Sequence, residues 1–221
     1  FTNRTQKLPY VTGKIAVSKN NLIYSEKNKK ITNELSNKLT HYLRYKNDAI
    51  LISYKTLNVD NPKLNCRLKG YEKFSPIRVI LDKNLETETD SNIFKSIKKK
   101  NTIIFYNRIN NKKINIFKKK GARLIKSSLT IKKHFNLKTI LEKLFSLGVR
   151  NLLVEGGDKM TESFIKNRLF NEFYLFKSPN NLTKIGKYQI FSSLNILETN
   201  YIKKFKKSTK LEKDKITIYK R

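Results

Sequence analysis

Short apolar runs recur along the whole chain between polar stretches, and their spacing alternates between the period of a strand and that of a helix. Tyr10 to Val17 reads as a strand with Gly13 inside it, closed by the turn-forming stretch Ser18-Lys19-Asn20-Asn21, since asparagine tolerates positive φ. Leu35, Leu39, Tyr42 and Leu43 fall at helical spacing behind Thr32, a suitable N-cap, and that helix should end near Arg44-Tyr45. Ala49 to Ile52, Ile77 to Leu81 and Thr102 to Tyr106 predict buried strands, and Ala122 to Lys126 a further one after Gly121. Asp60-Asn61-Pro62 requires an extended or turn conformation ahead of the proline. Thr139 to Leu147 predicts an amphipathic helix stopped by Gly148. Leu152 to Val154 predicts a strand, followed by Glu155-Gly156-Gly157 and a helix starting near Thr161 and ending at Asn167. Phe173 to Lys177 is a strand stopped by Ser178-Pro179, and the tail from Lys203 to Arg221 alternates around Asp214-Lys215 like a β-hairpin. Strands alternating with helices predict an α/β fold with a mostly parallel sheet, to which the hairpin adds antiparallel edge strands.

Composition narrows the function classes. A chain of 221 residues buries roughly 70% of its extended surface on folding, enough for one sizeable domain, and no repeat or long linker divides it. The net charge of +32 and pI near 10.2 would ordinarily suggest nucleic acid. The excess is mostly lysine, however, and comes with heavy use of asparagine and isoleucine, the residue set of AT-rich coding sequence. A nucleic-acid binder more often carries arginine, aromatic platforms and glycine-rich basic loops. The expectation is therefore no nucleic-acid partner, with the runs Lys98-Lys99-Lys100 and Lys118-Lys119-Lys120 as solvated loops. Cys66 is the one cysteine, which excludes an internal disulfide and suits a reducing, cytoplasmic setting. With His41 and His134 at no triad spacing, its expected role is a small core residue, and no metal site is legible. No apolar run approaches the roughly 20 residues of a membrane span. The chain opens at Phe1 and its one methionine is Met160, so it reads as a segment excised from something longer, with residues 1–8 as a linker remnant.

The densest chemical signal is the stretch Asn151-Leu152-Leu153-Val154-Glu155-Gly156-Gly157-Asp158-Lys159-Met160-Thr161. A strand that runs through two glycines into a helix allows a sharp turn and close ligand approach, and presents the unpaired N–H groups and partial positive charge of a helix N-terminus. Asp158 or Thr161 could cap that helix, and Thr161 and Ser163 add hydroxyls. Two readings stand at this level: a plain strand-to-helix turn, or a cradle for phosphate. Neither the dinucleotide G-x-G-x-x-G nor the P-loop pattern is present. Glu155 favours a ligand, since a carboxylate beside an anion site suits a polar ligand group.

Five motifs in register resemble one family. Leu152-Leu153-Val154-Glu155-Gly156-Gly157 is similar to the VEGG signature of the reductase domain of bacterial riboflavin-biosynthesis deaminase/reductases. Pro9-Tyr10-Val11 through Ser18 resembles that family's opening strand, and Ile31-Thr32 with Leu43-Arg44 and Asp48 to Leu51 resembles its next segment. Thr56 to Arg67 resembles T-x-x-x-D-[DN]-P-x-L-x-x-R, and Pro76 to Asp82 resembles P-x-RVVLD. The resemblance implies a dihydrofolate-reductase-like fold, a mixed, mostly parallel sheet flanked by helices with a C-terminal hairpin, in a single domain over residues 1–221. It implies NADPH as cofactor, a phosphorylated pyrimidine substrate, a homodimer, and a fused or separate zinc deaminase whose H-x-E and P-C-x-x-C pattern is absent from this sequence. The implied reaction reduces a phosphoribosylamino-pyrimidine to its phosphoribitylamino form, by ring opening and hydride transfer to C1′.

Carried over residue by residue, Arg44 and Arg67 match substrate-phosphate ligands, for which a guanidinium fork is suited. Leu64 would line the substrate pocket, and Asn28 falls near a substrate-contacting serine. Ala16, Thr56 and Asp60 match cofactor contacts, and Gly157, Asp158, Lys159, Met160, Thr161, Glu162 and Ser163 match the loop that holds the cofactor phosphates. Glu155 matches a substrate-contacting carboxylate and Lys14 a lysine near the sugar, and either could assist ring opening by proton transfer. Blander roles compete for several of them: turn capping for Thr56 and Asp60, a helix C-terminal cation for Arg44, a surface charge for Arg67, an ion pair for Lys14 and Glu155. The chain departs from the family at three places. Asn20-Asn21 replaces Asp-Gly, Lys30 stands where a tryptophan borders the cofactor, and Lys83 replaces a small polar cofactor contact. A catalytically degenerate scaffold or binding domain is the alternative function, with a basic nucleic-acid-binding module third.

Overall fold

The computed structural model describes residues 5–27, 30–97, 101–206 and 213–221. The chain forms two compact units: Phe1–Tyr10 with Arg44–Leu153, and Val11–Leu43 with Val154–Arg221. Among the described residues no helix is long and apolar enough to cross a membrane.

The first unit is built on β3 (Ala49–Ser53), β4 (Ile77–Leu81), β5 (Thr102–Tyr106) and β6 (Arg123–Lys126), each parallel to the next, with β7 (Asn151–Val154) beside β3. Ile50, Leu51, Ile52, Val79, Ile80 and Ile104 are all wholly buried, as strands with helices on both faces must be. The expected strands are all present. Asp48 fixes the start of β3 by accepting the N–H groups of Arg150 and Asn151 on one carboxylate oxygen, both at 2.8 Å.

The helices of this unit are less visible in the sequence. The chain after β3 forms α2 (Tyr54–Asp60), which Ser53 caps by accepting the Thr56 N–H at 3.2 Å. The expected turn before Pro62 is supplied by Asn61 in the left-handed conformation, φ 40° and ψ 51°. A short α3 (Asn92–Lys95), α4 (Asn111–Lys119) and α5 (Leu137–Ser146) follow. Lys118 and Lys119 lie in the last turn of α4, not in a loop, where cations favour the negative end of the helix. The expected loop at Lys98-Lys99-Lys100 lies outside the described residues. The expected helix before Gly148 is α5, and Gly148 takes φ 93° as its stop. Cys66 is buried, as expected of a core residue.

In the second unit β1 (Tyr10–Val17) runs parallel to β8 (Glu172–Lys177), and β8 pairs antiparallel with β11 (Lys215–Lys220), which pairs with β10 (Lys203–Lys206). This is the anticipated C-terminal hairpin. β2 (Leu22–Ser25) and β9 (Tyr188–Ile190) form a separate two-stranded ribbon. Helix α1 (Glu34–Lys46) is capped by Asn33, whose side-chain oxygen accepts the Ser36 N–H at 2.9 Å; the cap is one residue later than the expected Thr32. Asp214 holds that cap in place by accepting the Asn33 N–H at 2.8 Å and the buried Ser36 hydroxyl at 2.7 Å, a long-range partner that favours Asn33. Asn21 takes φ 58° in the turn after β1, as its residue type suggested. Helices α6 (Asp158–Lys166) and α7 (Leu194–Asn200) complete the unit.

Gly13 has a packing reason for its place inside β1. A Cβ there would overlap the Phe173 ring and stand 2.7 Å from the Phe170 ring. Those rings belong to an aromatic row, Phe164 stacked on Phe170 at 5.2 Å and Phe170 edge-on to Phe173 at 5.1 Å. Overpacking of this kind costs about 1–3 kcal/mol. Gly13→Ala should lower the unfolding midpoint by roughly 3–10 °C in a thermal melt, and an unchanged midpoint would show that the row yields.

Candidate active site

In the second unit, Lys14 and Ala16 are successive residues on one face of β1, half-buried, while Ile15 and Val17 face the core. The Lys14 ammonium lies 5.2 Å from the centroid of the Phe176 ring, a cation–π contact that fixes its direction. Glu155, Gly156 and Gly157 follow β7 and are all partly exposed. Helix α6 begins at Asp158, three residues earlier than the expected start, with Gly157 as an N-cap that offers no side-chain acceptor. The early start follows from burial of Thr161, Phe164 and Ile165, whose spacing extends one apolar stripe back toward Asp158.

The first bond inside α6 is Thr161 N–H to the Gly157 carbonyl at 3.1 Å. The N–H groups of Asp158, Lys159 and Met160 therefore precede the intrahelical ladder and lie at the positive end of the helix. The Asp158 carboxylate is committed elsewhere. One oxygen accepts the Ser192 and Ser193 N–H groups at 3.0 and 3.2 Å and the Ser193 hydroxyl at 2.8 Å, and the other accepts the Ser192 hydroxyl. Asp158 thus anchors the approach to α7 with its side chain. The Ser163 hydroxyl donates to the Lys159 carbonyl at 2.9 Å, and Glu162 pairs with Lys166 at 2.6 Å.

The paired glycines differ from the expectation of a sharp turn, because neither has a positive φ, and Gly157 is extended at φ −69° and ψ 175°. Met160 covers Gly156: a Cβ there would meet the Met160 methyl, the far end of a flexible side chain that can move aside. Asn20 fills the place of the expected carboxylate by binding the Leu182 carbonyl at 2.8 Å and N–H at 3.0 Å. Lys30 is exposed, and Asn28 lies outside the described residues.

In the first unit, Arg44 occupies the last turn of α1 and donates from Nη1 to the Asn65 carbonyl at 3.3 Å. That contact ties it to the segment carrying Leu64 and Arg67, so the structure brings these three predicted residues together. Leu64 is buried and adopts φ 51°, a conformation that costs a residue with a Cβ of order 1–3 kcal/mol and persists only where surrounding structure enforces it. Arg67 is exposed. Tyr45, Tyr71 and Phe74 form an aromatic cluster beside this segment, with centroid separations of 4.9 to 6.3 Å. Sequence reasoning missed it, because Phe74 ends a three-residue 3-10 turn, Glu72–Phe74, that Tyr71 precedes, too short to show a period.

Thr56 is in the first turn of α2, its hydroxyl 3.1 Å from that of the Ser53 cap. This capping contact agrees with the blander reading, and leaves the hydroxyl one further bond to offer. Asp60 sits at the C-terminal end of the same helix, where the helix dipole disfavours an anion. Partial loss of solvation pushes its carboxyl above the ordinary carboxylate range, although the residue as a whole is exposed. Lys83 follows β4 and donates to the Lys133 carbonyl at 3.5 Å. Among the described residues no group of histidine, cysteine and carboxylate side chains could hold a metal ion.

Residues 9–217 match the family described as RibD C-terminal domain. The chain is 34% identical over 181 residues to riboflavin biosynthesis protein RibD of Aquifex aeolicus, covering 81% of this chain and 49% of that protein. It is 26% identical over 150 residues to the 2,5-diamino-6-ribosylamino-4(3H)-pyrimidinone 5′-phosphate reductase of the same organism, covering 67% of this chain and 64% of that one. The chain thus spans about half the length of the RibD relatives that it matches. Acinetobacter baumannii RibD superposes with a TM-score of 0.78 at 17% identity, over 99% of this chain and 59% of that one. That likeness bears out the expected fold class, a mostly parallel mixed sheet with flanking helices of the dihydrofolate-reductase-like kind. With the family's motifs present from the first strand to the start of α6, the chain belongs to the RibD C-terminal domain family.

Proposed function

We propose that this chain is the reductase of riboflavin biosynthesis, converting 5-amino-6-(5-phosphoribosylamino)uracil to 5-amino-6-(5-phosphoribitylamino)uracil with NADPH as reductant. The family match over residues 9–217 carries the reading. It is supported by similarity to a relative that bears the reductase name alone. In the RibD relatives the unmatched half has room for a deaminase, which we place as a fused or separate partner, and the assembly as a homodimer.

The residues present fit a nicotinamide dinucleotide. The N–H groups of residues 158–160, outside the helical ladder at the positive end of α6, suit its phosphates. In the first unit, Thr56 and Asp60 are the candidate cofactor contacts that the family resemblance supplies. When bound, NADPH would supply the hydride. Arg44 and Arg67 of the first unit are the ligands proposed for the substrate phosphate, and Leu64 the residue proposed to line that pocket. Glu155 and Lys14 orient the sugar, and proton transfer at ring opening falls to this pair. Ala16, two residues after Lys14 on the same half-buried face of β1, is the further cofactor contact proposed there.

NADPH should raise the unfolding midpoint in a dose-dependent way, by roughly 5–10 °C near a hundredfold excess over its Kd. NADH should shift it far less, and equal shifts would remove the claim to NADPH. Loss of NADPH absorbance on addition of the deaminated phosphoribosylamino-pyrimidine is the direct assay, and no consumption at high enzyme concentration would leave a scaffold as the function. Arg67→Ala should raise KM for that substrate by about 10- to 100-fold, the loss of charge-assisted hydrogen bonds. An unchanged KM would take Arg67 out of the site.

A further inference from the structure

Helix α2 is held along one face by a set of polar contacts. Tyr54, Asn58 and Asn61 are spaced i, i+4, i+7 and so project on the same side. The Tyr54 hydroxyl bonds the Glu86 carboxylate, which with burial pushes the phenol up to about 12. Asn58 donates from Nδ2 to the Glu86 carbonyl at 3.0 Å and accepts the Glu88 N–H at 3.2 Å. Asn61, the left-handed C-cap residue, accepts the Asn92 N–H at 2.7 Å on its side chain, and its carbonyl accepts Asn92 Nδ2 at 2.8 Å. The two asparagine clamps thus contribute four hydrogen bonds between α2 and residues 86–92.

The segment they grip is itself fixed. The buried Asp82 carboxylate accepts the Glu86 and Thr87 N–H groups at 2.8 and 2.7 Å, and Lys113 donates to the Thr87 carbonyl at 2.9 Å. Leu85, buried, takes φ 58° to close this loop. At about 100° per residue, Thr56 and Asp60 stand roughly 200° and 240° round the helix from Tyr54, on the side away from the clamps. A helix of seven residues has little independent stability, so its orientation comes from what holds it.

We propose that Asn58 and Asn92 are positioning residues for the cofactor: they fix α2 so that Thr56 and Asp60 are presented in the binding conformation. This rests on the reading above that Thr56 and Asp60 contact NADPH. Without the clamps the helix samples other rotations, and binding must select the competent fraction. The effect therefore falls on cofactor affinity rather than on turnover at saturation.

A double-mutant cycle on the full chain tests this, with the NADPH dissociation constant read by fluorescence titration and folding checked by thermal melting. Asp60→Ala should raise the constant, and Asn58→Ala should raise it by about 5- to 10-fold, the loss of one or two hydrogen bonds. The rate at saturating NADPH should stay within about twofold for Asn58→Ala, and the double variant should bind more tightly than the product of the single effects predicts. Asn92→Ala repeats the test if Asn58→Ala fails to fold. An unchanged constant for both asparagine variants beside a weakened Asp60→Ala, or fully multiplicative effects, would overturn the positioning role alone. An unchanged constant for Asp60→Ala would overturn the cofactor reading and the positioning role with it.

Discussion

Parallel pairing of β3, β4 and β5 is the constraint on which the first unit depends. Ser53 pairs with Leu81 and Leu81 with Phe105, so these strands end level with one another. The residues that follow each strand then emerge at a common edge: Tyr54 and Thr56 after β3, Asp82 and Lys83 after β4, Asn107 after β5. Carboxyl ends of parallel strands are where α/β proteins gather ligands. The strands are apolar on both faces, so side-chain alternation specifies their register only weakly. Polar anchors at the ends supply what the faces cannot. Asp48 fixes the start of β3, Asp82 caps the loop after β4, and Asn107 bonds the Ser127 carbonyl at 2.9 Å beyond β5.

Arg78 shows the same economy inside the sheet. It is buried on β4, and its guanidinium donates to the Ile93 carbonyl at 3.3 Å and the Ser96 carbonyl at 3.5 Å. Desolvation lowers the pKa of the group, and its Nε finds no partner among the described residues. The charge is tolerated because it holds the end of α3, whose carbonyls lack helical partners. The motif residue in P-x-RVVLD is in this chain a structural tie.

The second unit places its polar chemistry at the start of α6. The sequence suggested glycines chosen for a sharp turn and an Asp158 free to cap or bind. In the structure the glycines are extended or merely covered by Met160, and Asp158 secures the chain before α7. What the structure retains there is backbone: three N–H groups at the positive end of a helix whose other face is fixed by Phe164 and Ile165.

The strands of the large sheet were legible in the sequence because apolar runs bounded by turn residues report burial directly, whereas the separate ribbon of β2 and β9 was not anticipated. Gly148 and Asn21 were legible because their φ values follow from residue type. The motif residues Arg44, Leu64 and Arg67 were legible as types in a pattern, but their meeting on one segment depends on the Arg44 bond to Asn65, which no spacing predicts. Helix α2 was missed because its seven residues carry one buried apolar side chain, Leu57, and its stabilising contacts lie some 30 residues away at Glu86, Glu88 and Asn92. The cap of α1 moved from Thr32 to Asn33 for the same reason, its partner Asp214 being distant in sequence. Local propensity and burial period thus determined the elements and the kinds of chemistry available. Tertiary hydrogen bonds decided which side chains are committed to structure and which remain to meet a ligand, because a polar group's role depends on partners that only folding brings within reach.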